Sequence, residues 1–531
     1  MNITVKSSQI FITCQQNTIV RFPRIYLSTQ EHVIKKKWKP TIGLEIHAQI
    51  ATNSKLFSPA STKFQKPVNS CVSFFDCATP GTMPVLNKKC VEAGVTTALA
   101  LSCTLNEISI FERKHYFYPD LPAGYQITQC KQPLASNGEL HFLVENPKVC
   151  KEPYEKVSKI KQIQLEQDSG RSFHDESAGR NLIDLNRAGV PLMELVFEPD
   201  LNDEEEAAAA VKELVNIFRI LGTCSCKMEE GAFRIDANVS VSSDDNLGVR
   251  TELKNIAHVR AVASAIKYEI NRQILLLQYG KSVINETRAW DSVNKKTVTL
   301  REKEEKQDYR FMPETDLLPL RICLENTNNK YNLVDVATLK KQLPELPLEK
   351  RKRLKEKYGL KDRLILQLCN ELDYLELFFN VIEGNKNLDP NIAANFIINT
   401  LQLFLNSNEI NFDYCQDKIE YISELIDLMQ SDQINVATAI KILKYLNVKS
   451  DKSPSQLAKE NNWILINDEK ELEIICKKVI EENPKIAKKY AVGKKKKEFR
   501  TLLGKVAQST NERANMKKVS SILNRLIEKF F

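Results

Sequence analysis

Over residues 41–325, several segments place apolar side chains at every second position, whereas the later part of the chain does not. TIGLEIHAQI (41–50), KIKQIQLEQD (159–168) and FRIDANVSVS (233–242) are read as alternating in this way. In a strand, alternate side chains share a face, so each segment offers one apolar and one polar side. Antiparallel sheets tolerate that division. Helical patterns interrupt the strands. EEEAAAAVKELVNIFRILG (204–222) opens on acids and closes on Gly, as a helix should. After residue 330 the period changes. LPLEKRKRLKEKYG (346–359) has Pro347 near its first turn and stops at Gly359. Helical spacing then continues through Leu446, and SDKSPSQ (450–456) reads as a linker. The expected fold class is α+β. An antiparallel β-rich cradle at 38–325 precedes an all-helical domain at 330–452 and a small basic helical tail domain at 456–531. A length of 531 residues suits three or four domains.

Charge is unevenly spread. Residues 1–40 carry seven Lys/Arg and one acid, and residues 484–531 carry fourteen Lys/Arg and three acids. The ends are therefore +6 and +11, and a total of +8 leaves −9 for residues 41–483. An acidic body with a basic terminal module points to a polyanionic partner, with nucleic acid favoured. Residues 1–30 hold Lys6, Arg21 and Arg24, scattered Ser/Thr and no acid, which reads as a mitochondrial presequence directing the chain to the matrix. No run of about 18 apolar residues is present, so no membrane span is expected. The 13 Cys have no regular spacing, which fits a reducing compartment better than a disulfide framework. Only 16 Gly are present, against a fold with several Gly-rich nucleotide loops, and Gly280-Lys281-Ser282 lacks the upstream Gly of a P-loop because position 275 is Leu.

The chemistry is expected on the polar strand faces. Glu45 and His47 point the same way, as do Glu166 and Asp168. Asp184 and Asn186 share a face, with Glu194 further on. Asp236 and Asn238 follow the acidic pair Glu229 and Glu230, and Glu252 and Lys254 repeat the spacing. Carboxylates gathered on one face repel unless a cation sits among them. Oxygen ligands with an occasional imidazole suit Mg2+ or Mn2+. Arg187, Arg234 and Lys254 suit phosphate. The implied chemistry is metal-assisted phosphoryl transfer.

Five motifs in order carry a resemblance: IGLEIHAQ, KHYFYPDLPAGYQITQ (114–129), DLNRAGVPLMELV (184–196), MEEGAFRIDANVSV (228–241) and RTELKN (250–255). Together they resemble the B subunit of glutamyl-tRNA(Gln) amidotransferase, densely over about 40–320 and again at ENPKIAKKYAVGK (482–494). With the presequence, the resemblance is to the mitochondrial form. It implies a ligase subunit that uses ATP and Mg2+ to phosphorylate the glutamate of misacylated Glu-tRNA(Gln). Ammonia from glutamine hydrolysed by an amidase-type A subunit then completes Gln-tRNA(Gln), and a small C subunit braces the two. This chain has no Ser-rich amidase signature.

Carried onto this chain, the resemblance makes Glu45, Glu166, Asp184, Asn186, Arg187, Glu229, Arg234 and Lys254 candidate catalytic residues. His47, Glu166, Asp168, Glu230 and Asp236 are candidate metal ligands. Tyr116, Tyr118, Asp120 and Tyr125 are expected to shape the pocket for the tRNA acceptor end, where aromatic rings stack on bases. Lys494, Lys495, Lys496, Lys497 and Arg500 are expected to meet tRNA phosphates. Many bacterial members carry a four-cysteine zinc site. The matching positions here read Ser58, Ala60, Ser73 and Asp76, so no structural zinc is expected. In the tail, Glu512 and Met516 stand where relatives commonly have Gly and Pro. Two other readings are a tRNA-binding scaffold that has lost its site and a metal-dependent nuclease. ATP hydrolysis dependent on Glu-tRNA(Gln) separates the first, and tRNA cleavage with Mg2+ alone the second.

Overall fold

The computed structural model describes residues 2–6, 9–13, 38–244, 246–302, 309–325, 329–447, 452–493 and 496–530. The presequence expected at 1–30 lies outside these residues, apart from the paired backbone segments Asn2–Lys6 and Gln9–Thr13.

A nine-stranded sheet organises the first three hundred residues. In chain order its strands are β1 (Lys39–Gln49), β2 (Thr104–Leu105), β3 (Ala135–Val144), β4 (Tyr154–Gln167), β5 (Pro191–Phe197), β6 (Phe233–Ser242), β7 (Thr251–Lys254), β8 (Glu286–Asp291) and β9 (Lys296–Glu302). Across the sheet they run β9-β8-β7-β6-β1-β5-β4-β3-β2. Neighbours are antiparallel except β7 and β8, which are parallel. The first strand of the domain thus lies at the centre of its sheet.

The apolar face of this sheet is covered by three helices. These are α1 (Lys88–Ala100), α2 (Glu204–Leu221) and α3 (Val259–Gln278). On β1, Ile42, Leu44, Ile46 and Ala48 are fully buried in the same core as Ala207, Val211, Leu214 and Phe218 of α2. That leaves Glu45, His47 and Gln49 facing the other way, as the alternation requires. α2 begins where Asp203 accepts hydrogen bonds from the Glu205 and Glu206 amides, at 2.9 and 2.8 Å. It ends at Gly222, whose φ of +67° suits the left-handed cap.

Two expected strand readings need correction. In β4 the register shifts at Lys161, so Ile160, Ile163 and Leu165 are all buried despite their uneven spacing. A bulge, rather than unbroken alternation, keeps them on one face. Residues 180–184 pair with Arg171–Asp175 in a separate two-stranded ribbon. The chain then turns through 185–190 before β5, so Asp184 and Asn186 do not share a strand face.

The helical remainder has two further cores. One runs from Leu354 to Ala458 and the other from Leu472 to Ile527. Leu457 and Ala458 belong to the earlier core. The linker expected at 450–456 lies partly outside the described residues, and Pro454–Glu460 is already helical. Pro347 opens its helix as expected, and Gly359 follows at φ +62°. A buried ion pair, Arg351 to Glu213 at 2.7 Å, joins this region to α2. Arg351 also donates to the His141 carbonyl at 3.0 Å.

Candidate active site

The polar face of the sheet forms the floor of a cleft of about 860 Å³. Register brings its residues together. His47 on β1 lies opposite Glu194 on β5 and Arg234 on β6, and Glu45 lies opposite Asp236. A three-stranded sheet of residues 112–115, 125–128 and 310–313 lies over one side and supplies Lys114 and the start of the tyrosine-rich loop.

Two acidic clusters result. His47, Glu166 and Glu194 offer ligand atoms that lie within 4.8 Å of one another, and so do Glu45, Asp236 and Glu252. In the first, His47 Nε2 is 3.5 Å from Glu166 and 3.8 Å from Glu194. Thr128 donates to Glu166 at 3.1 Å and Gln164 to Glu194 at 2.5 Å. Burial, with help from Arg234, Lys254 and Lys114, drives the His47 pKa down to about 3, so the ring is neutral and keeps a lone pair. Burial, and then the Glu166 charge, push Glu194 well above the usual carboxylate range. Burial also raises Glu166, against the pull of Lys114. In the second cluster a lysine is already present. Lys254 Nζ lies 2.5 Å from Asp236 and 3.2 Å from Glu252, while Asn238 donates to Glu45 at 2.8 Å.

Two arginines converge beside the first cluster. Asp168 is 3.0 Å from Arg234 Nη2 and 3.5 Å from Arg187 Nε. Arg187 is further fixed by the carbonyls of Ser169 and Gly170, at 2.9 and 2.6 Å. Such oriented guanidinium groups suit a phosphate. The cleft edge is aromatic. Tyr116 meets Tyr118 and Tyr309 edge-on, at 5.6 and 5.9 Å between centroids, and Lys114 sits 4.7 Å over the Tyr309 ring.

The cleft therefore collects His47, Tyr116, Tyr118, Asp120, Glu166, Asp168, Arg187, Arg234, Asp236 and Lys254, with Glu45 on the adjoining strand face. Other expected site residues lie elsewhere. Asp184 and Asn186 hold the 67–71 loop, accepting from the Asn69 and Cys71 amides at 3.2 and 2.8 Å. Their side chains serve the loop rather than the cleft. Glu229 and Glu230 sit on a single 3-10 turn, Met228–Glu230, where Glu230 pairs with Lys227 at 2.9 Å and joins neither acidic cluster. Tyr125 stacks under Arg113 and lines a neighbouring hollow. Lys497 and Arg500 are exposed on the helix Lys496–Ser509. Lys494, Lys495 and the Lys496 side chain lie outside the described residues.

Sequence reasoning placed Glu194 and Glu252 on polar strand faces without assigning them a role, and it missed Lys114 and Tyr309. Lys114 stands two residues before Tyr116, so strand alternation was a usable signal. Tyr309 is brought in from a distant segment and carried no local one.

Comparison with known proteins gives the arrangement its context. Residues 40–328 match the GatB/GatE catalytic domain, and residues 376–527 match the GatB domain. This chain belongs to the GatB family. Within the family it is similar to the protein of Aedes aegypti named as the B subunit of mitochondrial glutamyl-tRNA(Gln) amidotransferase, 48% identical over 93% of this chain and 94% of that one. The human protein of the same name is 42% identical over 92% of this chain and 88% of that one. The B subunit of the aspartyl/glutamyl-tRNA(Asn/Gln) amidotransferase of Rickettsia canadensis is 39% identical over 92% and 97%. The GatB/GatE catalytic domain match spans all of the sheet but Lys39, and both acidic clusters.

Proposed function

We propose that this chain is the phosphorylating and amidating subunit of a heterotrimeric glutaminyl-tRNA synthase (glutamine-hydrolysing) in the mitochondrial matrix. Its partners in that reading are an amidase-type A subunit and a small C subunit, and its substrates are ATP and misacylated Glu-tRNA(Gln). The observation that carries it is the cleft itself, where the His47, Glu166 and Glu194 cluster faces Arg187 and Arg234.

A carboxylate is a poor acyl donor because its negative charge repels a nucleophile and it has no leaving group. Transfer of the γ-phosphoryl group of ATP to the tRNA-bound glutamate oxygen releases ADP and creates that leaving group. Ammonia then attacks the carbonyl carbon, and phosphate departs carrying the proton that the nitrogen gives up as the amide forms. Arg187 and Arg234, which both pair with Asp168, suit the phosphate oxygens on which charge develops. His47, Glu166 and Glu194 fit a Mg2+ ion, because a neutral imidazole and two carboxylates present ligand atoms within 4.8 Å of one another. The ion, when bound, supplies further neutralisation of phosphate charge. Tyr116 and Tyr118 are suited to stack on the acceptor-end bases. The basic tail at Lys494–Lys497 and Arg500 suits the tRNA backbone. The cofactor reading is ATP with Mg2+ and no zinc.

The test is transamidation of Glu-tRNA(Gln) by this chain co-expressed with its A and C partners, supplied with glutamine or ammonium chloride. Wild type is expected to form Gln-tRNA(Gln) with either nitrogen source, and Glu166→Gln with neither. Binding of tRNA without ATP-dependent product in wild type would leave the scaffold reading instead.

A further inference from the structure

Lys55 and Asp76 form an ion pair outside the cleft that the chemistry above does not use. The two side chains are 0% and 1% exposed and 3.0 Å apart. Two charges are not removed from water without a tight set of partners. Here Asp76 also accepts from the Ser58 hydroxyl at 3.1 Å and the Ser73 amide at 2.8 Å. Burial pulls the Lys55 pKa down, and Asp76 opposes it.

The pair presses on the turn that carries Arg187. Lys55 Nζ reaches the Leu185 carbonyl at 3.4 Å, and the next residue, Leu56, donates its amide to the Gly189 carbonyl at 3.1 Å. At Gly189, φ is +80°, and a side-chain carbon built there would lie 2.8 Å from Asp76 Oδ1 and 3.5 Å from Lys55 Cδ. This glycine is required both by conformation and by the closeness of the pair. The turn in turn grips the aspartate between the arginines. The Gly189 amide donates to the Asp168 carbonyl, and the Asp168 amide donates to the Val190 carbonyl, each at 2.9 Å.

We infer that Lys55 and Asp76 are positioning residues, a buried staple that fixes the 185–190 turn and through it Asp168, Arg187 and Arg234. This rests on the proposed phosphoryl-transfer reading of the cleft. A charge pair of this kind confers direction as well as cohesion: Lys55 must point at Leu185, whereas an apolar pair need only fill the same space.

That difference supplies the test, made in the complex with the A and C subunits. Lys55→Met, Asp76→Leu, the double variant Lys55→Met/Asp76→Leu and Asp76→Asn are compared with wild type. Each of the first two strands one buried charge and lowers the melting temperature. The double variant removes both charges and recovers the melting temperature. It does not recover the bond to Leu185. It is therefore expected to exchange the amide hydrogens of Gly189 and Val190 faster than wild type. Its kcat/KM for ATP is expected to fall roughly 10- to 100-fold, as when the groups that support a site are removed. Its Kd for tRNA should not change. A double variant with wild-type melting, exchange and kcat/KM would overturn the inference. If the double variant unfolds, Asp76→Asn, which keeps the shape, decides by the same readouts. A wild-type complex that makes no Gln-tRNA(Gln) would strike the functional reading alone, because exchange at the turn still reports whether the staple holds it.

Discussion

Glu194→Gln should stabilise the ion-free protein while removing its response to Mg2+. Glu194 and Glu166 present oxygens within 4.8 Å of each other, in a buried site with a neutral histidine. Two full charges at that distance repel by about 3 kcal/mol at an effective dielectric of 20. The protein escapes part of this cost by protonating Glu194, whose pKa burial and Glu166 raise well above 4.5. The neutral glutamine avoids the remainder, so a gain of roughly 1–2 kcal/mol near neutral pH is expected. Its amide oxygen still accepts from Gln164, and its NH2 takes the place of the Glu194 proton in the hydrogen bond to Glu166, which accepts. The sign with pH follows. Because the folded pKa of Glu194 is raised, its proton-linked stability is fully present below about 4.5 and is lost as pH rises through the folded value. The advantage of Glu194→Gln should therefore grow with pH. Binding of Mg2+ expels the proton, so affinity for the ion should rise over the same window. Urea denaturation in EDTA and in Mg2+, at several pH values, measures all of this. Wild type should gain RT ln(1 + [Mg2+]/Kd) from the ion, and the variant much less. A variant less stable than wild type in EDTA, or an equal Mg2+ shift in both, would refute the reasoning.

Other expectations concern separate parts of the molecule. Arg234→Lys removes the fork that meets Asp168 at 3.0 Å, and kcat/KM for ATP should fall by on the order of 10²-fold with tRNA affinity kept. Glu213→Ala leaves the buried Arg351 uncompensated, and urea denaturation should show a loss of about 3–5 kcal/mol between α2 and the helical region. In the tail, Glu512 has a φ of +63°, which a side chain tolerates poorly. Glu512→Gly should raise the stability of that module by about 1 kcal/mol in a thermal or urea melt. Replacing Lys497 and Arg500 by Gln should weaken tRNA binding and flatten its dependence on log[salt] by about 0.7–0.9 for each phosphate no longer neutralised.

The sheet was legible because burial on one face alone writes a period of two into the chain. Ile42, Leu44, Ile46 and Ala48 against Glu45 and His47 is such a record, and it located the floor of the cleft. The same rule misled at Asp184 and Asn186. Their spacing is that of a strand, but the following turn and its bonds to the 67–71 loop override it. Glu230, expected as a metal ligand from the resemblance, sits on a turn beside the strand and apart from both acidic clusters. Only the left-handed Gly231, φ +74°, marks the turn that carries it aside. The role of Lys55 left no signal, since a lysine in a polar stretch reads as exposed, and its burial depends on Asp76 and a turn at 185–190. Family resemblance noted Glu512 where relatives have Gly, and the backbone supplies the physical reason.

The central position of β1 also dictates when the site can exist during synthesis. β1 is the first strand of the domain to emerge, yet its two neighbours, β5 and β6, are not available until residues 191–197 and 233–242 have followed. Before residue 191 only α1 of the three covering helices has been made to meet its apolar face, Ile42 to Ala48, and both of its edges are open. Pairing over such separations is slow and leaves strand edges exposed to aggregation. A slip of one residue would turn Glu45 and His47 into the core and expose the isoleucines. Correct register of one strand thus settles at the same moment whether the domain folds and whether its acidic clusters assemble.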